Sequence, residues 1–204
     1  MNALQELTLR QIMNRIYKDL EGFEIPHEDE LAVKKSKGSP VYGEINQQAL
    51  NILLSYLKLG PEDIFYDLGS GVGKVITQTV LSTPVGQAFG IELSSARFEE
   101  ALLALKRTQE YVPDIQKRLK FINEDLLTTD LSKATVIYTC STAFSQAFMN
   151  KLTKRLLEFR QPFRLVSLQE LPEIGKFKLL KILKLDMSWT RKSPVHIYER
   201  SPCF

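Results

Sequence analysis

The chain has 204 residues, 44% of them hydrophobic and 25% charged, with a net charge of +3. That balance fits a soluble domain with a core of its own, and basic residues spread this evenly give no electrostatic footprint for nucleic acid. Two cysteines, Cys140 and Cys203, are too few for a disulfide framework or a zinc site.

The opening stretch lacks the apolar core of a signal peptide, and no run reaches membrane-spanning length, so the expectation is a cytoplasmic protein. Leu9, Ile12, Ile16 and Leu20 recur at helical spacing and predict an amphipathic helix or helical pair. The polar stretch "EIPHEDELAVKKSKGSP" reads as a loop or partly ordered connection. Residues 1–40 are therefore expected to form a small helical segment with its connecting loop, and 41–204 the main domain.

The pattern then becomes regular. A helix is expected over "EINQQALNILLSYLKL", then the breaker "GPED", then strands at Ile64–Leu68, Gln87–Leu93, Leu119–Asn123, Thr135–Thr139 and Phe163–Leu168. Helices starting near Lys74, Ser95 and Ser145 fall between them. Such alternation predicts βαβ units and a mostly parallel sheet with helices on both faces. The tail changes the rhythm: "FKLLKILKLDMSW" and "PVHIYER" have only "TRKS" between them, which predicts a C-terminal antiparallel hairpin. Lys176, Lys178, Lys181 and Lys184 lie in its first arm, where alternation leaves some of them solvated. A parallel sheet closed by such a hairpin is the Rossmann-like α/β arrangement of class I methyltransferases.

The stretch "IFYDLGSGVGKV" offers the densest chemistry. A nucleotide-triphosphate loop fails twice, because Leu68 stands where its first glycine belongs and Val75 where its hydroxyl belongs. A dinucleotide fingerprint is weakened because its third glycine falls on Lys74. What remains is D-x-G-x-G-x-G at a strand-to-helix turn, where bare backbone lets a phosphate-free ligand lie close. S-adenosylmethionine fits. Glu92 ends the next strand, placed to accept from both ribose hydroxyls, and Glu124-Asp125 ends the third, where an acceptor meets the adenine amine while Leu126 covers the ring. Each residue alone also has a blander reading, Glu92 and Asp125 as solvated loop acids and Asp67 as a turn-former; the order of the set with the glycines favours a site. His27 and His196 have no partners at metal-ligand spacing, so no metal is expected.

The stretches "VYGEI", "FYDLGSGVGKV", "FGIEL", "EDLL", "VIYTCSTAF" and "MSWTRKSPVHIYER" follow the order and spacing of one family. From about residue 40 to 200 the sequence resembles the non-SET histone lysine methyltransferases of the disruptor-of-telomeric-silencing type. The most specific parts are Val41-Tyr42-Gly43-Glu44 and Ser188-Trp189-Thr190. The resemblance implies that Tyr42 and Glu44 close over the methionine half of S-adenosylmethionine, or of its product S-adenosylhomocysteine. It also implies that Asp67, Gly69, Ser70, Gly71 and Gly73 hold the amino-acid portion, Glu92 the ribose, and Asp125 with Leu126 the adenine. Phe144 and Trp189 would wall the channel for the target lysine. Two departures stand out: Cys140-Ser141 replaces the family's paired asparagines, and Ile197 replaces a tyrosine of the last strand.

Methyl transfer from a sulfonium is an in-line displacement, so alignment matters most and no nucleophilic side chain is needed. A lysine amine in water titrates at about pH 10.4 and attacks only when neutral, a form that an apolar aromatic channel of Tyr42, Phe144 and Trp189 favours. The expected activity is S-adenosylmethionine-dependent methylation of a protein lysine. Histone is a candidate acceptor, with action in the nucleus or after delivery into another cell in that case. Methylation of RNA or a small molecule, and a non-catalytic binding module, stay open.

Overall fold

The computed structural model describes residues 7–172 and 177–200. Lys176 and Cys203 lie outside them. Seven strands form one sheet in the order β3-β2-β1-β4-β5-β7-β6. β1 (Ile64–Leu68), β2 (Gln87–Glu92), β3 (Leu119–Asn123), β4 (Val136–Thr139) and β5 (Phe163–Ser167) are parallel. β7 (Ser193–Arg200) runs antiparallel to both β5 and β6 (Lys178–Leu185). The expected strands all form, within a residue or two of the bounds their apolar runs suggest.

The centre of the sheet is covered on both sides, which is why β1, Asp67 apart, and β4 are largely apolar. One face packs against α3 (Gln47–Leu57) and α4 (Lys74–Ser82), joining Leu50, Leu53, Leu57 and Ile76 to Phe65, Val136 and Ile197. The other packs against α6 (Gln146–Glu158), whose Phe148, Met149, Leu152 and Leu156 meet Tyr66, Ile137, Leu165 and Tyr198. α1 (Leu9–Ile16) sits on α4 and α5 (Ser95–Gln109), with Ile16 and Leu20 buried against Ala104. Thr8 and Gln11 form a reciprocal capping box at its start.

Three expectations are corrected. The polar stretch read as a loop contains α2 (His27–Lys35). Glu28, Asp29 and Glu30 fill its first turn and Lys34 and Lys35 its last, opposing the helix dipole at both ends, and Lys34 pairs with Glu30 one turn away. Because Val33 is its one buried side chain, apolar periodicity could not reveal it. The next helix begins at Gln47 rather than Glu44, because Ile45 bridges to Met187 and the Glu44 carbonyl accepts from the Ser188 amide. The same contacts end β6 at Leu185, leaving Met187, Ser188 and Trp189 in the hairpin loop. β6 is an edge strand with Lys178, Lys181 and Lys184 exposed and a register shift near Leu180, features that guard an unpaired edge.

The chain changes direction across the sheet at β1 and β4, neighbours in space but not in sequence. A crevice opens at their carboxyl ends, the position at which open α/β sheets bind ligands.

Candidate active site

The turn after β1 occupies that crevice. Gly69, Gly71 and Gly73 all adopt positive φ, and the amides of Gly69 and Ser70 donate to the Ile91 carbonyl, tying the turn to β2. The three glycines have different tasks. A Cβ on Gly69 would face the open cavity, with the Phe144 ring its nearest neighbour at 3.7 Å. A Cβ on Gly71 would overlap the Tyr42 ring, and one on Gly73 would overlap Phe121. The sequence suggests bare backbone for a ligand; at Gly71 and Gly73 the room is taken by the protein's own aromatic rings.

Glu92 is almost fully buried, and its two carboxylate oxygens accept from the amides of Gly71 (2.8 Å) and Ser94 (2.9 Å). These bonds fix the group at the cavity wall and leave each oxygen a further lone pair. Asp125 lines the same cavity, its side chain turned back to accept from the Leu127 amide, with Leu126 beside it. Phe144 also lies here, 4.6 Å from Phe148 between ring centroids.

A second cavity adjoins the first, and its lining includes Asp67, Ser70, Glu44, Lys74, Tyr138 and Cys140. Asp67 is 1% exposed; its Oδ1 and the Ser70 hydroxyl have no hydrogen-bond partner among the described residues. Burial, reinforced by Glu92, holds the Asp67 carboxyl well above the usual range. Glu44 accepts from Lys74 Nζ (2.8 Å) and from the Tyr42 hydroxyl (2.7 Å).

A third, largely apolar cavity is formed by Val41, Tyr42, Gly43, Cys140, Thr142, Ala143 and Trp189. Trp189 lies over Gly43, where a Cβ would overlap its ring. Trp189 is here; Phe144 is not. The pair expected to wall one channel is divided between two cavities, which meet in a neck made by 41–43 on one side and Cys140 with Ala143 on the other.

Sequence reasoning missed several contributors. Arg97 donates to the carbonyls of Gly22 and Pro40 and places its guanidinium 4.8 Å from the centroid of the Tyr42 ring, so α5 pins the roof of the first cavity. Asp29 accepts from Ser94 Oγ and the Ala96 amide, fastening α2 to the start of α5. Lys74 was legible as Gly73-Lys74, though in a motif that failed. Among the described residues no cluster of three metal-ligating side chains forms, and no helix is long and apolar enough to cross a membrane.

The sheet order, the glycine turn at the switch point and the acid ending the next strand define a class I methyltransferase fold. An RNA methyltransferase from Salinibacter ruber, solved with S-adenosyl-L-homocysteine, shares that fold with a TM-score of 0.56 and 20% identity over 76% of this chain and 90% of that one. Residues 23–198 match the family described as histone methylation protein DOT1, and the chain belongs to that family. It is 31% identical to an H3 lysine-79 specific histone-lysine N-methyltransferase of Caenorhabditis elegans over 67% of this chain and 15% of that protein. It is 28% identical to a protein-lysine N-methyltransferase of Saccharolobus islandicus over 55% of this chain and 64% of that protein. The chain thus spans a small part of the first of these relatives and somewhat under two thirds of the second.

Proposed function

We propose that this protein transfers a methyl group from S-adenosylmethionine to a lysine side chain of another protein, with histone as the leading acceptor. The observation that carries the reading is the pair of buried, unpartnered groups at the switch point, Asp67 Oδ1 and Ser70 Oγ, beside Lys74. Burying polar atoms without partners is costly, and a ligand with an amino-acid end answers both: its ammonium pairs with Asp67, and its carboxylate accepts from the Ser70 hydroxyl, beside a Lys74 that keeps its ion pair with Glu44. Glu92 is then the acceptor for the ribose hydroxyls, Asp125 and Leu126 flank the adenine, and Tyr42 roofs the group. When bound, S-adenosylmethionine supplies an electrophilic methyl.

The acceptor cavity explains the preference for lysine. Its walls are apolar, and the residues it shares with the cofactor cavity form the passage between the two, which suits a long aliphatic stem ending in one amine. Among the described residues the neck has no group free to take a proton. Burial pushes the Cys140 thiol up to about 12, and burial, followed by Glu44, pushes the Tyr42 phenol well above its usual range. Glu44 is committed to Lys74 and Tyr42. The amine therefore sheds its proton to solvent before entry, as desolvation of an ammonium requires. With histone as acceptor, the protein acts in the nucleus or is delivered to a cell that has one.

The test is incubation with labelled S-adenosylmethionine and separate pools of histones, nucleosomes, total cell protein and RNA, followed by mass spectrometry of the labelled pool. Label on lysine, with a rate rising from neutral to alkaline pH, is expected. Label on arginine, on carboxylates or in RNA alone overturns the lysine reading, and calorimetry showing no S-adenosylhomocysteine binding overturns the cofactor reading.

A further inference from the structure

The two sides of the neck are fastened differently. The 41–44 side is held by Trp189 on Gly43, by the Ser188 amide on the Glu44 carbonyl and by Ser188 Oγ, which accepts from the Glu44 amide at 3.1 Å. The other side is the 3-10 turn Ser141–Ala143 with Phe144, which bears Thr142 and Ala143 at the acceptor cavity and Phe144 at the cofactor cavity. A turn this short has few bonds of its own: Phe144 N donates to the Ser141 carbonyl at 2.9 Å.

Three of the four carbonyls of 141–144 converge on one side chain from beyond the end of β5. Gln169 Nε2 donates to the carbonyls of Ser141 (2.6 Å), Phe144 (2.9 Å) and Thr142 (3.2 Å). Three carbonyls in one place demand a donor, which fixes the orientation of the carboxamide. The backbone of Gln169 completes the knot. Its amide donates to Ser141 Oγ (3.0 Å), its carbonyl accepts from Ser167 Oγ (2.7 Å), and the two serine hydroxyls, both fully buried, lie 2.9 Å apart.

We infer that Gln169 is a positioning residue for methyl transfer, setting the width of the neck by holding the 141–144 turn through its carboxamide donors. This rests on the proposed methyltransferase activity. Gln169 lines neither cavity, so it acts on the acceptor through the turn alone. Alignment of reacting groups within the neck is what such a support protects.

Two variants separate donation from packing. Gln169→Met keeps length and volume but donates nothing; Gln169→Lys offers three donors to the same three carbonyls. Amide hydrogen exchange of the segment 140–148 should show Phe144 exchanging about tenfold or more faster in Gln169→Met and close to wild type in Gln169→Lys. With an acceptor pool, kcat should fall about thirtyfold in Gln169→Met and recover in Gln169→Lys, while S-adenosylhomocysteine affinity stays within about twofold in both. Unchanged exchange in Gln169→Met overturns the inference, as does equal loss of cofactor binding in both variants, which marks a purely structural role. If the wild type binds S-adenosylhomocysteine yet methylates nothing, the functional reading fails, and the exchange comparison still decides whether Gln169 holds the turn.

Discussion

The cleft proposed for the cofactor and the cavity proposed for the acceptor share Val41, Tyr42, Gly43, Cys140 and Ala143, yet they are built on opposite plans. The cleft gathers the ends of β1, β2 and β3, adjacent strands paired in register, and its acids are aimed by backbone amides: Gly71 and Ser94 on Glu92, Leu127 on Asp125. The acceptor cavity gathers three loops distant in sequence, and its walls are apolar surfaces. Recognition by polar groups follows from local turns on a rigid sheet, whereas recognition by shape depends on loops that must each be held from elsewhere.

Substitutions should separate the two plans. The largest effect is expected from Asp67→Asn, which leaves the ligand ammonium without its buried counter-charge, a loss of about 3–5 kcal/mol, or about two to nearly four orders of magnitude in S-adenosylhomocysteine affinity by calorimetry. The same residue sets a pH dependence. Because its pKa is raised in the free protein, Asp67 keeps its proton above the pH at which an exposed aspartate loses it. Pairing with an ammonium expels that proton, so affinity should climb with pH, at most about tenfold per unit, and flatten once Asp67 is ionised in the free protein. The stabilisation of the free protein by protonated Asp67 is complete below the unfolded pKa and lost as pH rises through the folded one. In Asp67→Asn both slopes should disappear; a wild type whose affinity does not vary with pH would break the assignment.

Next in size is Glu92→Gln, which exchanges charge-assisted acceptors for neutral ones and should cost about 1.5–3 kcal/mol of cofactor affinity. Trp189→Ala should then lower kcat/KM for the acceptor about tenfold while leaving S-adenosylhomocysteine affinity within about twofold. Equal losses in both quantities would show that the two regions are one. Leu180→Ser on the edge strand, outside both regions, should stay within about 0.5 kcal/mol of wild-type stability and leave both binding steps alone.

The sheet was legible because a strand buried on both faces leaves an apolar run bounded by glycine, proline or aspartate, as in "IFYDL" after "GPED". Glu92 and Asp125 were legible because strand ends and βα turns are local. Gln169 and Arg97 were not, since each serves backbone carbonyls of a remote segment and a carbonyl has no sequence signature. The separate tasks of Gly69, Gly71 and Gly73 were hidden for the same reason: Tyr42 and Phe121 arrive from distant parts of the chain. Trp189 was singled out by resemblance alone; it lines the third, largely apolar cavity, the one proposed for the acceptor.

Tyr42, whose ring covers Gly71, is separated by Gly43 from Glu44, whose carboxylate grips Lys74, and Gly43 itself lies beneath Trp189. Three consecutive residues, Val41, Tyr42 and Gly43, therefore serve both chambers, and if the cofactor enters by displacing them, the same displacement dismantles the wall proposed for the acceptor. Turnover should follow a compulsory order, cofactor before protein, with the demethylated product leaving last. Initial-rate analysis would register this as S-adenosylhomocysteine competing with S-adenosylmethionine but acting as a non-competitive inhibitor toward the acceptor. Successive methylations of one lysine would then require the modified protein to depart and return between rounds.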